Sequence, residues 1–185
     1  MKKHCFIAIN LPQEARWEIE ALINDLQKIN QDPRIKFINP KQVHLTLTFI
    51  GEIFHDQIEL VVEMLQKIIG DFAATEIITQ DLSAFPNVSE PRILYLNVKE
   101  VGQNLLPKIK KEIESQLSQA GLEFDQKKWE PHLTLARVKD SVKIKTNDIQ
   151  PYELSIPVES LDLMESQLKP EGSEYKIIKS FKLKS

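Results

Sequence analysis

Cysteine is almost missing from this chain: Cys5 is the only one in 185 residues. A single thiol excludes an intramolecular disulfide and any cysteine-based zinc site. Placed in the apolar run CFIAI, Cys5 reads as a small buried hydrophobe rather than a nucleophile. Long hydrophobic runs are missing too. No stretch approaches the roughly 20 apolar residues of a membrane-spanning helix. The apolar run that follows MKKH is too short for a signal-peptide core and ends at Asn10. A cytoplasmic location with no membrane partner is therefore expected. Nor does one sign of charge dominate. A net charge of −3 argues against a surface that coats nucleic acid along its length. Lysine and arginine do gather locally, at Arg34, Lys36 and Lys41, at Lys127 and Lys128, and at Arg137 and Lys139. A solvated face and a local basic pocket both remain open for each cluster. There is no H-E-x-x-H run and no RNP-like aromatic motif, which leaves a metallohydrolase or an RRM-type RNA binder without its usual signature.

What is present suits an ordinary globular domain, with 42% hydrophobic and 28% charged residues. Residues 5–9 read as a buried strand. Pro12 suits the first turn of a helix, and Ala15, Ile19, Leu22, Leu26 and Ile29 follow it at helical spacing. A β-rich run from Val43 to Ile50 is closed by Gly51. Ile58, Val61, Val62, Leu65, Ile68 and Ile69 write a second helix, with Gly70 as its stop. Strands are expected over 75–83 and 92–98, a third helix over 103–120 ending at Gly121, a strand from Trp129 to Val138 entered through Pro131, and two late strands near 153–163 and 174–183. No linker divides the chain, so a single domain over residues 1–185 is expected.

Within it lies a faint internal repeat. FIAINLP, a helix and VHLTLTFIG are echoed by ILYLNV, a helix and PHLTLARV. Each half reads strand, helix, strand, and each second strand carries His-Leu-Thr-Leu. Alternation in a strand puts His44 and Thr46 on one face and Leu45 and Leu47 on the other, and it treats His132 and Thr134 against Leu133 and Leu135 alike. Halves related by a pseudo-twofold axis would bring two histidines and two threonines together at one cleft.

That constellation suits phosphodiester cleavage. In-line attack needs a base on the entering oxygen and an acid on the leaving oxygen, on opposite sides of phosphorus. Imidazole, with an ordinary pKa near 6.5, can fill either role. Threonine hydroxyls can donate to the non-bridging oxygens as charge builds. Arg137 is a candidate phosphate partner. It stands five positions after His132, so strict alternation puts it on the opposite face, and a bulge or the strand's end must turn it inward. His4 and His55 have no matching partner and read as ordinary strand or surface residues.

The paired HLTL segments resemble the His-x-Thr-x signatures of the 2H phosphoesterase superfamily and, within it, the RNA 2′,3′-cyclic phosphodiesterase family, formerly called 2′-5′ RNA ligases. The likeness extends to CFIAINLP, PKQVHLTLTFIGE, FPNVSEPRILYLNV, WEPHLTLARVK and LMESQLKPEGSEYKIIKSFKL, in order along most of the chain. The resemblance implies an α+β fold that is bilobal, two pseudo-symmetric lobes of antiparallel sheet backed by helices around a central groove. It implies His44 as proton donor, His132 as proton acceptor, and Arg137, with Thr46 and Thr134, on the phosphate. It further implies metal-independent hydrolysis of a 2′,3′-cyclic phosphate to a 2′-phosphate, with no cofactor. The partners would be RNA ends or nucleotides bearing that group, and 2′-5′ ligation is a second activity to test. A monomer is expected. One departure is His4, which stands where the family has a basic residue near the start of the first strand and leaves that substrate contact open. The residues by themselves leave three other readings: a relative acting on another cyclic or 2′-5′-linked nucleotide, since His and Thr read only the phosphate; a non-catalytic RNA-binding module, although a pure binder would favour Arg and Lys; and a metallohydrolase.

Overall fold

The computed structural model describes residues 2–140, 142–146, 153–169 and 172–184. Strand β1 (Lys3–Asn10) leads into helix α1 (Gln13–Ile29), followed by the short β2 (Ile35–Phe37), a 3₁₀ turn at Pro40–Gln42 and β3 (His44–Ile53). Then come α2 (His55–Ile69), β4 (Thr75–Phe85), β5 (Ile93–Val101), α3 (Leu105–Gln119), β6 (His132–Val138), β7 (Ser155–Val158), β8 (Ser160–Lys169) and β9 (Gly172–Lys182). The late run expected over 153–163 is thus interrupted at Glu159, and Pro170 and Glu171 of the last family-like block lie outside the described residues.

The strands hydrogen-bond in the order β7-β4-β5-β6-β3-β1-β8-β9, with β2 also paired to β6. Every strand pairing is antiparallel. The two repeated halves, β1-α1-β3 and β5-α3-β6, lie on either side of a seam between β3 and β6, each flanked outward by two further strands. The seam is narrow: Leu45 pairs with Leu133, and the strands then part. This mixed α and β fold, a curled antiparallel sheet with three helices, has the two-sided layout expected from the repeat.

The core lies on one face of the sheet. Leu45, Leu47, Leu133 and Leu135 are all buried there, among Ile19, Leu22 and Leu26 of α1, Val61 and Leu65 of α2, and Leu106, Ile109 and Ile113 of α3. Those helix positions recur at three and four, so each helix turns one apolar stripe inward. Helix α3 starts at Leu105 rather than 103 because Asn104 takes a left-handed backbone, φ 52°, and the Glu100 carboxylate accepts the N–H groups of Leu105 and Leu106. An acidic side chain on those orphan donors also suits the helix dipole. Gly121, φ 69°, follows its end as expected.

Two glycines behave otherwise. Gly51 does not close β3, which continues to Ile53. Its φ of 84° bends the strand where the register slips from Cys5↔Gly51 to Phe6↔Phe49. Only glycine adopts that backbone without strain, so the stop signal is a bulge signal. Gly70 does follow α2 but stays right-handed, φ −61°, and the chain winds on through Asp71 N–H to Ile68 O and Phe72 N–H to Ile69 O.

Leu133 is fully buried at the seam. Leu133→Ala is expected to lower unfolding free energy by about 2–5 kcal/mol, the usual range for a large-to-small core change. Urea denaturation measures it, and a loss below about 1 kcal/mol would show that the seam is not close-packed.

Candidate active site

The unpacked face of the sheet curls into a groove of about 800 Å³. His44, Thr46, His132, Thr134 and Arg137 all line it. The seam explains why. One step either side of the Leu45↔Leu133 pair puts His44 across from Thr134 and Thr46 across from His132. The two histidines therefore sit diagonally across the seam.

The halves match in more than their motif. HLTLTFI in β3 and HLTLARV in β6 share one exposure pattern, with two buried residues in succession at Leu47–Thr48 and at Leu135–Ala136. Two successive inward residues mark a bulge. The register skips Leu47 between Ile7↔Thr48 and Ala8↔Thr46, and it skips Leu135 between Leu94↔Ala136 and Tyr95↔Thr134. Each bulge restores the fifth residue after the histidine to the groove face. In β6 that residue is Arg137, so the inward turn that strict alternation denied it is supplied by the bulge. In β3 the equivalent is Phe49, which is 53% exposed on the same groove.

Parting strands leave backbone groups to satisfy. Each carbonyl is met from the segment that precedes the other motif or from a helix. Ile38 N–H donates to Leu135 O at 2.8 Å. The Trp129 indole donates to Thr46 O at 2.9 Å, and Asp125 N–H to Phe49 O at 2.9 Å. Lys110 of α3 donates to Leu47 O at 3.0 Å and to the Thr48 hydroxyl, and is paired with Glu114. Trp129 therefore anchors the approach to β6 instead of beginning the strand.

Both imidazoles are held alike. His44 Nδ1 lies 2.7 Å from Gln42 O, and His132 Nδ1 lies 2.7 Å from Glu130 O. A carbonyl can only accept, so each Nδ1 carries a hydrogen and each Nε2 is left as the exchangeable position. Across the strand pair each histidine faces an asparagine, Asn10 for His44 and Asn97 for His132. Aromatic rings flank them: Phe6 and Tyr175 stand 5.1 and 5.0 Å from His44, and Phe85 and Tyr95 each 5.1 Å from His132. No motif announces these rings, although Phe6, Phe85, Tyr95 and Tyr175 all lie inside the blocks that resemble the family.

Burial pushes the His44 pKa below the usual 6.5, against a raising effect of the Gln42 carbonyl. The positive charges of His132 and Arg137 push it further down. Thr46 and Thr134 make no side-chain hydrogen bond, and Arg137 no ion pair, among the described residues, so all three are available to an anion. Lys127 and Lys128 stand on the rim beside Asp125 and Glu130. Arg34, by contrast, is taken up by Asp32 at 2.7 Å. His4 lies on the groove's edge near Glu52, and His55 is exposed beside Glu59. Cys5 is buried, and burial raises its thiol to about 11, which fits a packing residue. Among the described residues no three His, Cys, Asp or Glu side chains cluster as metal ligands, and no helix is long and apolar enough to cross a membrane.

Twin His-x-Thr strands facing one groove of a curled antiparallel sheet are the arrangement of the two-histidine phosphoesterases. The model of the LigT-like phosphoesterases matches residues 9–95 and 97–175, and the chain belongs to that family. Among curated proteins it is 26% identical to an Archaeoglobus fulgidus protein named RNA 2′,3′-cyclic phosphodiesterase, over 95% of this chain and 98% of that one. A Thermotoga maritima protein of the same name is 27% identical, over 94% and 91%. Among solved structures, a Thermus thermophilus protein superposes with a TM-score of 0.84 at 23% identity, covering 97% of both chains. Escherichia coli LigT complexed with 3′-AMP gives 0.81 at 21% identity, covering 100% of both. At those identities the superpositions speak for the fold.

In the free protein, an NMR titration should give a His44 midpoint below 6.5, rising when inorganic phosphate fills the groove. Because the folded pKa is the lower one, the unfolded chain takes up this proton first. Folding stability should therefore fall as pH drops through about 6.5 toward the His44 midpoint, and His44→Gln should remove that part of the acid sensitivity. A midpoint at or above 6.5 contradicts the burial argument.

Proposed function

We propose that the protein hydrolyses 2′,3′-cyclic phosphates at RNA ends or on nucleotides, leaving a 2′-phosphate, by two-histidine general acid–base catalysis without a metal ion. The observation that carries this reading is the matched tethering of His44 and His132 on one groove, each with Nδ1–H bound to a carbonyl and Nε2 left for proton transfer. The shared name of the curated relatives supports the substrate class.

His132 acts as the base. Its Nε2 takes a proton from water as the water oxygen bonds to phosphorus. The bond from phosphorus to the 3′ oxygen breaks on the far side, and His44 Nε2 gives that oxygen its proton. The product carries a 2′-phosphate and a free 3′-hydroxyl, and the proton balance between the two imidazoles is restored through solvent. Thr46 and Thr134 donate to the non-bridging oxygens, where charge grows in the transition state. Arg137 pairs with the phosphate and holds it between the histidines. A 5′-hydroxyl in place of water would give a 2′-5′ linkage. Phe49 offers an exposed aromatic face beside the phosphate, suited to stacking a splayed base.

His44 is half-buried, and a partly desolvated neutral imidazole is a reluctant proton carrier. The substrate's own charge answers this, because an anion beside Nε2 favours the protonated form. The acid is thus charged most fully when a phosphate is present to use it.

The test is an oligonucleotide ending in a 2′,3′-cyclic phosphate, incubated in EDTA with the product position mapped. A 2′-phosphate is expected. Loss of activity in EDTA, or a 3′-phosphate, overturns the proposal. Thr46→Val should lower kcat by about 10²–10³, as for other oxyanion donors. A substrate with an activated leaving group assigns the roles: it needs little protonation, so His44→Ala should be partly rescued and His132→Ala should not. The reverse pattern exchanges acid and base.

A further inference from the structure

The aromatic partners of the two histidines come from different places. In the second half Tyr95 sits across from Thr134 on the neighbouring strand and reaches His132 directly. The equivalent residue in the first half, across from Thr46, is Ala8. A methyl group cannot touch the imidazole. The space above Ala8, walled by Phe6 and Met164, is covered instead by Tyr175. That residue belongs to β9, three strands away from β3 and outside both HLTL halves. Its ring meets His44 edge-on, with centroids 5.0 Å apart and planes at 85°. It is braced in turn against Phe6, at 5.3 Å and 76°.

The Gln42 bond fixes one point of the imidazole and leaves the ring free to tilt, because the terminal torsion of histidine is broad. One hydrogen bond is by itself too weak to hold the plane. Displacing a reacting group by about 1 Å can lower a rate about 10²-fold. A second contact on the groove side is what the geometry needs, and Tyr175 is placed to make it.

We propose that Tyr175 is the positioning residue of the first half: its ring, seated over Ala8, sets the plane of the His44 imidazole and screens it from water, as Tyr95 does for His132. The proposal rests on the catalytic reading of His44 above. The groups facing His44 are neutral on β1 and β9, where Phe6, Asn10 and Tyr175 stand, and the charges acting on it are those of His132 and Arg137 on β6. Removing the Tyr175 ring therefore changes hydration and leaves the local charge as it was.

Tyr175→Ala and Tyr175→Phe are compared on a cyclic-phosphate substrate and by NMR titration of both histidines. For Tyr175→Ala, kcat should fall about 10–100-fold, the scale of a misplaced general acid or base, with KM little changed. The His44 midpoint should rise toward 6.5 while that of His132 stays in place. Tyr175→Phe should keep the wild-type values. If the alanine variant does not fold, Tyr175→Leu, which keeps apolar cover over Ala8, should show the same two shifts in smaller size. Unchanged kcat and an unchanged His44 midpoint overturn the proposal, as does equal loss in the phenylalanine variant or a shift shared by His132. Failure of the catalytic reading looks different: His44→Ala would stay active, while the response of the His44 titration to Tyr175 could still be measured.

Discussion

Everything at the site depends on one cross-strand contact, Leu45 against Leu133. Both side chains are buried at a seam where two repeated halves of the chain touch through little else of the sheet. Because side chains alternate with period two, a slip of one residue there would turn the His-Thr pair of the slipped strand into the core and its leucines out to water, and the two motifs would no longer share a face. Burial of the leucines therefore sets the register, and the register sets which histidine faces which threonine. A packing requirement on one face of the sheet becomes a chemical geometry on the other.

The same seam must open for a groove to exist. Past the leucine pair the strands diverge, and backbone carbonyls along them lose their ladder partners. The protein meets each with a group from elsewhere: Ile38 N–H on Leu135, the Trp129 indole on Thr46, Lys110 on Leu47. These bonds hold the divergence open at defined positions, so the groove is bounded by satisfied backbone. The paired bulges belong to this opening. They shift the parity of both strands after the threonine and add a fifth-position side chain to the groove, a cation from β6 and an aromatic ring from β3.

Phosphodiester cleavage asks two like groups to do opposite things. Duplication supplies the likeness, down to the Nδ1 tether two residues upstream of each histidine. The difference arises from what surrounds the duplicated strands. Ala8 stands where the other half has Tyr95, and that space is filled by a ring from β9 beside the half-buried His44. Burial and the neighbouring positive charges then favour the neutral imidazole, so that a bound phosphate changes His44 itself. In the proposed reaction His44 would then be an acid whose protonation depends on its substrate.

The sequence by itself determined the elements and pointed to the candidate site. Helical spacing of apolar residues located all three helices, β-rich runs located the principal strands, and the duplicated HLTL tetrapeptide singled out His44, Thr46, His132 and Thr134. These were legible because they depend on short-range periodicity, which neighbouring residues carry together. Gly51 shows the limit: a glycine after a β-rich run is as good a bulge as a stop, and only the pairing with β1 decides. Arg137 shows it again, since its face depends on a register skip at Leu135 that β5 imposes. The short strand β2, the lysine on the Leu47 carbonyl, and the meeting of Tyr175 with His44 carry no local signal at all. They join residues far apart in the chain, and their partners exist only once the two halves have closed on the leucine seam. Tertiary structure alone decided where the groove opened, which rings flank the imidazoles, and how two identical motifs came to occupy unequal surroundings, because each of these depends on which strand lies beside which.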